Sequence, residues 1–433
     1  MTRAAGWEGA LDAQLAHGAG PLDDDGRARL VDLLVDAVGL AVAGATSPAA
    51  RAAARALGGS TLPDRVCLDG TAIHALDFDD THEQSLCHTG AVLVPVLLRL
   101  GAHAHAPGPL VLEAYAAGLA LVDHLAPLGP RLNTAGVHST AILGALGGAV
   151  AAATVLGLDD AQRVATVELA ATMAAGLCVS FGTDTKPLQA GRAAETAVRA
   201  ALLVREGFGA PTGAVLGPRG LLALLLGDDA LETLPPVGPR TEAIAAVGIK
   251  PYPSCLLTHT PIDLALEARS RLELSSVEEV DTIMLSAHPI VGTLADKTDL
   301  RRDLDAKFSV RYCLLAALAD GDVVSESFET PARERLTGTG WDTWSRGVDL
   351  RLDVESRLAA RLVVRTVDGR ELVVEAPGPR GAPGRPLDAL EVRTKFLRAV
   401  SGTRGEAAAH ELLSRVESLA DIDDVAQLGE VLP

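Results

Sequence analysis

Apolar residues recur at three- and four-residue intervals from 24 to 45, behind a run of aspartates that suits the positive end of a helix. An Ala/Arg helix is predicted next, over 46–58, stopping at Gly58-Gly59. From 91 to 230 the pattern is almost wholly helical, with helices predicted over 91–101, 110–125, 140–156, 160–176, 191–206 and 220–226. Gly144, Gly147, Gly148, Ala149, Ala151 and Ala152 give one of them faces small enough for close helix approach.

The texture changes near 246. Residues 280–286 read as a strand and 348–354 alternate polar with apolar. Segments 360–366 and 371–375 flank Val367-Asp368-Gly369-Arg370, a hairpin signal. A helix is predicted over 309–320 and a Gly/Pro-rich loop over 376–386. Helical spacing returns over 387–400 and 405–420. The predicted fold is mainly α. A large all-helical domain occupies 1–245, a smaller α+β domain is inserted over 246–388, and 389–433 return to the helical domain.

Composition narrows the function. The chain is 48% hydrophobic but only 3% aromatic, so Ala, Leu, Val and Gly fill the interior, which favours close-packed helices. A net charge of −18 argues against nucleic acid and against anionic membrane surfaces as partners. The five cysteines lack CxxC spacing, giving neither a zinc pattern nor a disulfide framework, and fit a reducing compartment. The N-terminus has no apolar signal core, and the longest apolar runs are too short for a membrane span. A soluble, cytoplasmic protein is expected. There are thirty-three arginines but only five lysines: Lys186, Lys250, Lys297, Lys307 and Lys395. A lysine can lose its proton when desolvated and an arginine cannot, so these five are candidates for tasks arginine does badly.

Chemistry concentrates in five segments. Residues 74–88 hold His74, His82 and His88 with Asp77, Asp79 and Asp80, a density that means a metal site, an acid/base site or a set of solvated caps. A helix over 72–83 would place His74, Asp77 and Thr81 on one face. Asp79-Asp80-Thr81-His82-Glu83 has the spacing that holds magnesium and diphosphate in terpene-synthase-like helical enzymes, but three Trp, three Tyr and six Phe poorly supply the aromatic cavity such enzymes need. His138 stands at a helix entry, as a functional group or a capping accident. Lys186 precedes a small-residue helix in a setting suited to anion capture. Lys250 lies at the domain border in Lys-Pro-Tyr-Pro-Ser-Cys, followed by Cys255, a nucleophile or an inert thiol, and His259, a ligand-facing or core histidine. Tyr312, in Lys307-Phe-Ser-Val-Arg-Tyr, either donates a proton or packs.

Taken together and in this order, these segments resemble the MmgE/PrpD family. The matching pieces are His74-Ala-Leu-Asp-Phe-Asp-Asp-Thr-His82, His88-Thr-Gly-Ala-Val-Leu-Val-Pro95, Gly136-Val-His-Ser-Thr-Ala141, Thr185-Lys-Pro-Leu-Gln-Ala-Gly191, Lys250-Pro-Tyr-Pro-Ser-Cys255 through Asp263, and Ala306 to Tyr312. The resemblance implies a helical domain carrying an α+β lid, a homodimer, and catalysis on small di- or tricarboxylates with no metal and no organic cofactor. By resemblance the pocket residues are Asp77, Thr81, His88, His138, Lys186, Lys250 and Tyr312, from both domains, with Cys255 and His259 beside them, so lid closure would exclude water. His138 and Lys250 would handle protons, His88 polarise the substrate, Asp77 orient its neighbours, and Thr81 and Lys186 hold carboxylates. The expected reaction is a 2-methylcitrate dehydratase-like elimination of water. The alternatives are an iminodisuccinate-type epimerisation, a cis-aconitate-type decarboxylation, and a catalytically silent binding protein. The sequence departs from the family pattern at several places. The stretch 60–73 is short, Thr89-Gly90 follows His88 directly, and Gln189 replaces a common histidine. Cys255 stands where the decarboxylases carry histidine, which argues against decarboxylation.

Overall fold

The computed structural model describes residues 22–227, 229, 234, 235, 238–338 and 340–433. Among them the chain is mainly helical, with one two-stranded pair and one four-stranded sheet. Two compact units divide it. The larger takes in the described residues up to Ala75, Asp79–Ile249 and Asp388–Pro433; the smaller takes in Leu76–Phe78 and Lys250–Leu387. The sequence reading set these borders at 245/246 and 388/389 and did not separate Leu76–Phe78. The first 21 residues of its helical domain lie outside the described residues.

In the larger unit, α1 (Asp24–Gly44) is capped by the Asp23 side chain on the Gly26 amide, 2.8 Å. The predicted second helix starts two residues late, at α2 (Pro48–Leu57), because Ser47 caps it and Pro48 fits the first helical turn. A helix that periodicity passed over follows, α3 (Leu62–His74). Thr61 and Asp64 form a capping box around it and Pro63 sits in its first turn. Then come β1 (Thr81–His82), α4 (Thr89–Pro95), α5 (Gly108–His124), α6 (Ser139–Val155) and α7 (Asp160–Ala171). The helix α8 (Thr185–Arg205) begins six residues earlier than predicted, since Pro187 is tolerated in a first turn that needs no amide donors. Helix α7 ends about a turn early, and a short irregular segment leads to α8.

Small residues do set the packing here. A Cβ on Gly191 of α8 would fall 2.1 Å from the Cys67 carbonyl oxygen of α3, and one on Gly118 of α5 would fall 2.8 Å from the Gly147 oxygen of α6. β2 (Val247–Gly248) pairs antiparallel with β1, Thr81 opposite Gly248.

The smaller unit builds on α9 (His259–Arg271), β3 (Val280–Ala287), α10 (Val310–Asp320), β4 (Val348–Arg351), β5 (Ala360–Thr366) and β6 (Glu371–Ala376). The sheet order is β4-β3-β5-β6; β3 and β4 run parallel and the other neighbours antiparallel. The predicted hairpin is β5–β6, closed by Asp368 and by Gly369 at φ +90°. Leu285, Leu362, Val364, Tyr312 and Phe328 belong to its core.

The chain returns to the larger unit through α11 (Ala389–Arg404) and α12 (Glu406–Glu417). Lys395 on α11 meets Asp36 on α1 at 2.6 Å, both almost fully buried, so this scarce lysine is spent on a structural ion pair. No single helix among the described residues is long and apolar enough to cross a membrane.

Candidate functional site

The dense segment does not form a helix over 72–83. α3 ends at His74, and Asp77 adopts φ +53°, a left-handed conformation that a continuing helix cannot contain. The shared face of His74, Asp77 and Thr81 therefore does not form, nor does the helical diphosphate motif.

In the larger unit, the carboxylate of Asp79 is instead turned onto imidazoles. It lies 2.8 Å from His74 Nδ1 and 3.4 Å from His88 Nδ1, and all three side chains are buried. Burial alone would push the Asp79 carboxyl up, but the two histidines beside it hold it well below the usual carboxylate range. Asp80 takes the opposite course. Burial and the charge of Asp79 push it up to about 7, against hydrogen bonds donated by the Thr89 hydroxyl and, at 2.8 Å, by the Gly90 amide. Asp80 thereby ties the loop to the start of α4.

His88 Nδ1 also lies 3.0 Å from the Asp80 carbonyl oxygen. A carbonyl only accepts, so Nδ1 carries the proton and Nε2 carries a lone pair. Burial lowers the His88 imidazole to about 4, despite the pull of Asp79, so it is neutral near pH 7. His138 precedes α6, with Nδ1 2.8 Å from Gln189 Oε1. Burial, then the positive fields of His74 and Lys186, lower it well below the ordinary histidine value. The His74 ring is 4.4 Å from that of His88 and 6.3 Å from that of His138. His138 also meets Phe181 edge-on at 5.0 Å, and Lys186 Nζ stands 5.6 Å over the same Phe181 ring. Lys186 lies within the first turn of α8 rather than before it. Thr81 Oγ1 is buried with no hydrogen-bond partner among the described residues.

The ligand atoms of His74, Asp79 and His88 fall within 4.8 Å of one another, close enough to surround a cation. Within this group His74 Nδ1 is engaged by Asp79 and His88 Nδ1 by the Asp80 carbonyl.

The smaller unit holds the remaining candidates. Lys250 Nζ donates to the Asp77 carbonyl at 3.0 Å, to Asp77 Oδ1 at 3.3 Å and to the Ser254 carbonyl at 3.3 Å. Lys307 Nζ donates to the Leu76 carbonyl at 2.6 Å, and burial pushes its ammonium down to about 8. Two lysines thus clamp the strained turn at Asp77. Sequence reasoning flagged Lys307 as scarce and placed it in the fifth segment but gave it no role; the Lys-rich setting of a positive-φ aspartate could not be read from spacing. His259 is fully buried, with Nε2 3.2 Å from the Ser254 carbonyl and its ring edge-on to Tyr252. Tyr312 is fully buried too, its hydroxyl donating to the Ser327 carbonyl at 2.5 Å and its ring beside Phe328 and Trp341, so packing occupies it. Cys255 is half-buried, its amide donating to the Lys307 carbonyl.

Comparison with known proteins completes the picture. The MmgE/PrpD N-terminal domain matches residues 15–234 and the MmgE/PrpD C-terminal domain matches residues 252–421. The cis-aconitate decarboxylase of Mus musculus is 25% identical over 389 residues, covering 84% of this chain and 77% of that protein. Its Homo sapiens counterpart is 25% identical over 394 residues, 84% and 78%. The Aspergillus terreus enzyme of the same name is 23% identical over 393 residues, 83% and 79%.

Proposed function

The chain belongs to the MmgE/PrpD family, and on that premise we propose that it is a lyase acting on a small di- or tricarboxylate, with proton removal next to a carboxylate as its first step. The observation that carries this reading is the pair of neutral imidazoles. His88 and His138 each have Nδ1 engaged by an oxygen acceptor, which leaves Nε2 as a base near pH 7. Lys186 supplies a cation on the same unit, suited to a carboxylate, and Thr81 a buried hydroxyl with no hydrogen-bond partner among the described residues.

The elimination runs as follows. The Cα proton moves to His138 Nε2, the C–H electron pair forms the alkene, and the Cβ–O bond breaks. Hydroxide leaves as water with a proton from an ammonium group, for which Lys186 is the candidate. His88, with its lone pair on Nε2, accepts a hydrogen bond from a substrate hydroxyl and so orients it. A 2-methylcitrate-like substrate fits this chemistry.

Decarboxylation is the second reading, favoured by the names of the relatives. It breaks a C–C bond and must deliver a proton to carbon. Two imidazoles with bare Nε2 atoms are better placed to take one. Proton NMR in D2O with 2-methylcitrate, citrate, cis-aconitate and aspartate-derived imines separates the cases. New alkene signals support the hydro-lyase, and loss of a carboxylate supports the decarboxylase. Deuterium uptake with inversion and no net loss identifies an epimerase. No change with any of them defeats the lyase reading for these substrates.

A further inference from the structure

We propose that Gln189 is a positioning residue that locks His138 in one tautomer, proton on Nδ1 and lone pair on Nε2, so that the ring meets substrate as a base. The catalytic consequence rests on the lyase reading; the lock itself does not.

The argument starts from a backbone carbonyl. Gln189 Nε2 lies 3.3 Å from the Leu177 carbonyl oxygen, which can only accept, so the amide nitrogen must point there. Gln189 Oε1 then faces His138 Nδ1 at 2.8 Å, and Nδ1 must be the protonated nitrogen. The opposite amide orientation would set Oε1 against the Leu177 oxygen and two donors against the imidazole.

The anchor and the ring it governs belong to one local structure. Val137 and Leu177 form an antiparallel bridge, the His138 amide donates to the Gly176 carbonyl at 3.1 Å, and the Cys178 amide donates to the Gly136 carbonyl at 2.9 Å. Gly176 leaves room for the amide: a Cβ there would fall 2.9 Å from Gln189 Oε1 and 2.4 Å from the Ala141 Cβ. Gln189 lies one turn after Lys186 on α8, so a single helix start supplies both the cation and the tautomer lock.

The charged and titratable groups facing His138 are His74, His88 and Lys186. None of them takes the Nδ1 proton, which Gln189 alone accepts among the described hydrogen bonds.

The test reads the ring directly. In protein labelled with 15N-histidine, the His138 resonances are assigned by their loss in His138→Gln. The parent should show a protonated-type Nδ1 and a bare-type Nε2 at pH 7. In Gln189→Leu the two shifts should converge as the tautomers mix, and kcat should fall about 10²-fold with KM within about twofold. Gln189→Glu keeps an acceptor and adds charge. It should retain the tautomer, recover most of kcat, and move the acid limb of kcat/KM up by about one pH unit. A parent His138 protonated on Nε2 overturns the proposal, and so do unchanged shifts in Gln189→Leu. The NMR reading needs no substrate, and Gln189→Asn, whose shorter side chain pulls the acceptor back from the ring, gives the same convergence where Gln189→Leu does not fold. The expected shifts in a protein that turns over no carboxylate would uphold the lock and defeat the lyase reading instead.

Discussion

His88 and His138 are histidines that burial keeps neutral, and this has a sign that can be checked. The folded His88 imidazole is lowered to about 4, whereas an unfolded chain binds that proton near pH ~6.5. Between those values the unfolded state holds more protons, so His88 contributes stability that is full above pH ~6.5 and is lost as pH falls toward ~4. The size is on the order of 3 kcal/mol. Asp80 works against it, since its raised carboxyl keeps a proton that the unfolded chain has already released. The parent's total slope is therefore not the test; the difference is. His88→Gln should shift the slope of the urea-unfolding free energy against pH, between about 4.5 and 6.5, in the negative direction relative to the parent, and an identical slope would mean that the folded protein protonates His88. His138→Gln addresses chemistry instead. Circular dichroism and melting should match the parent within a few degrees while turnover is lost, because the ring is held by one hydrogen bond and two aromatic contacts. Full activity in that variant would remove His138 from the mechanism.

At the level of elements, what the sequence made legible depended on which force decides each one. Long apolar periodicity made α1, α5 and α6 readable, and alternation with an Asp-Gly turn made the β5–β6 hairpin readable, because burial on one face fixes both. α3 went unseen, since its signal was a Thr61–Asp64 capping box and a first-turn proline rather than a stripe. The dense histidine and aspartate segment was singled out, but its geometry was not, because a positive φ at Asp77 and carbonyl acceptors on backbone leave no mark in residue spacing. His88, His138 and Lys186 stood out in their segments as chemistry-bearing residues, and the roles expected of them came from the resemblance. Gln189 was noted only as a departure, and its use appears once the Leu177 carbonyl is seen behind it. Close packing of α3 on α8 offers a matched pair of substitutions. Gly191→Ala forces a Cβ to within 2.1 Å of the Cys67 carbonyl, a backbone atom that cannot swing away, and should cost about 1–3 kcal/mol. Gly402→Ala sits on an exposed part of α11 with open space around it and should stabilise by up to about 1 kcal/mol. Opposite shifts in melting temperature are expected; a Gly191→Ala protein as stable as its parent would show that the two helices can separate freely.

Over the whole molecule, the charge of −18 opposes the proposed substrate. A di- or tricarboxylate approaches a surface whose long-range field repels it, and attraction must come from cations close to the site, such as the half-buried Lys186. Salt separates the two. The Debye length falls from ~30 Å at 0.01 M to ~8 Å at 0.15 M, so added salt removes distant repulsion first and leaves a partly buried short-range pair largely intact. The rate constant kcat/KM should therefore rise severalfold over that range, more steeply for a tricarboxylate than for a dicarboxylate, with kcat unchanged because chemistry follows capture. Stopped-flow or initial-rate measurements with sodium chloride, and with a neutral osmolyte as control, provide the comparison. A kcat/KM that falls with salt would mean that a local positive field already steers the anion in from a distance, and that the lysines govern encounter as well as binding.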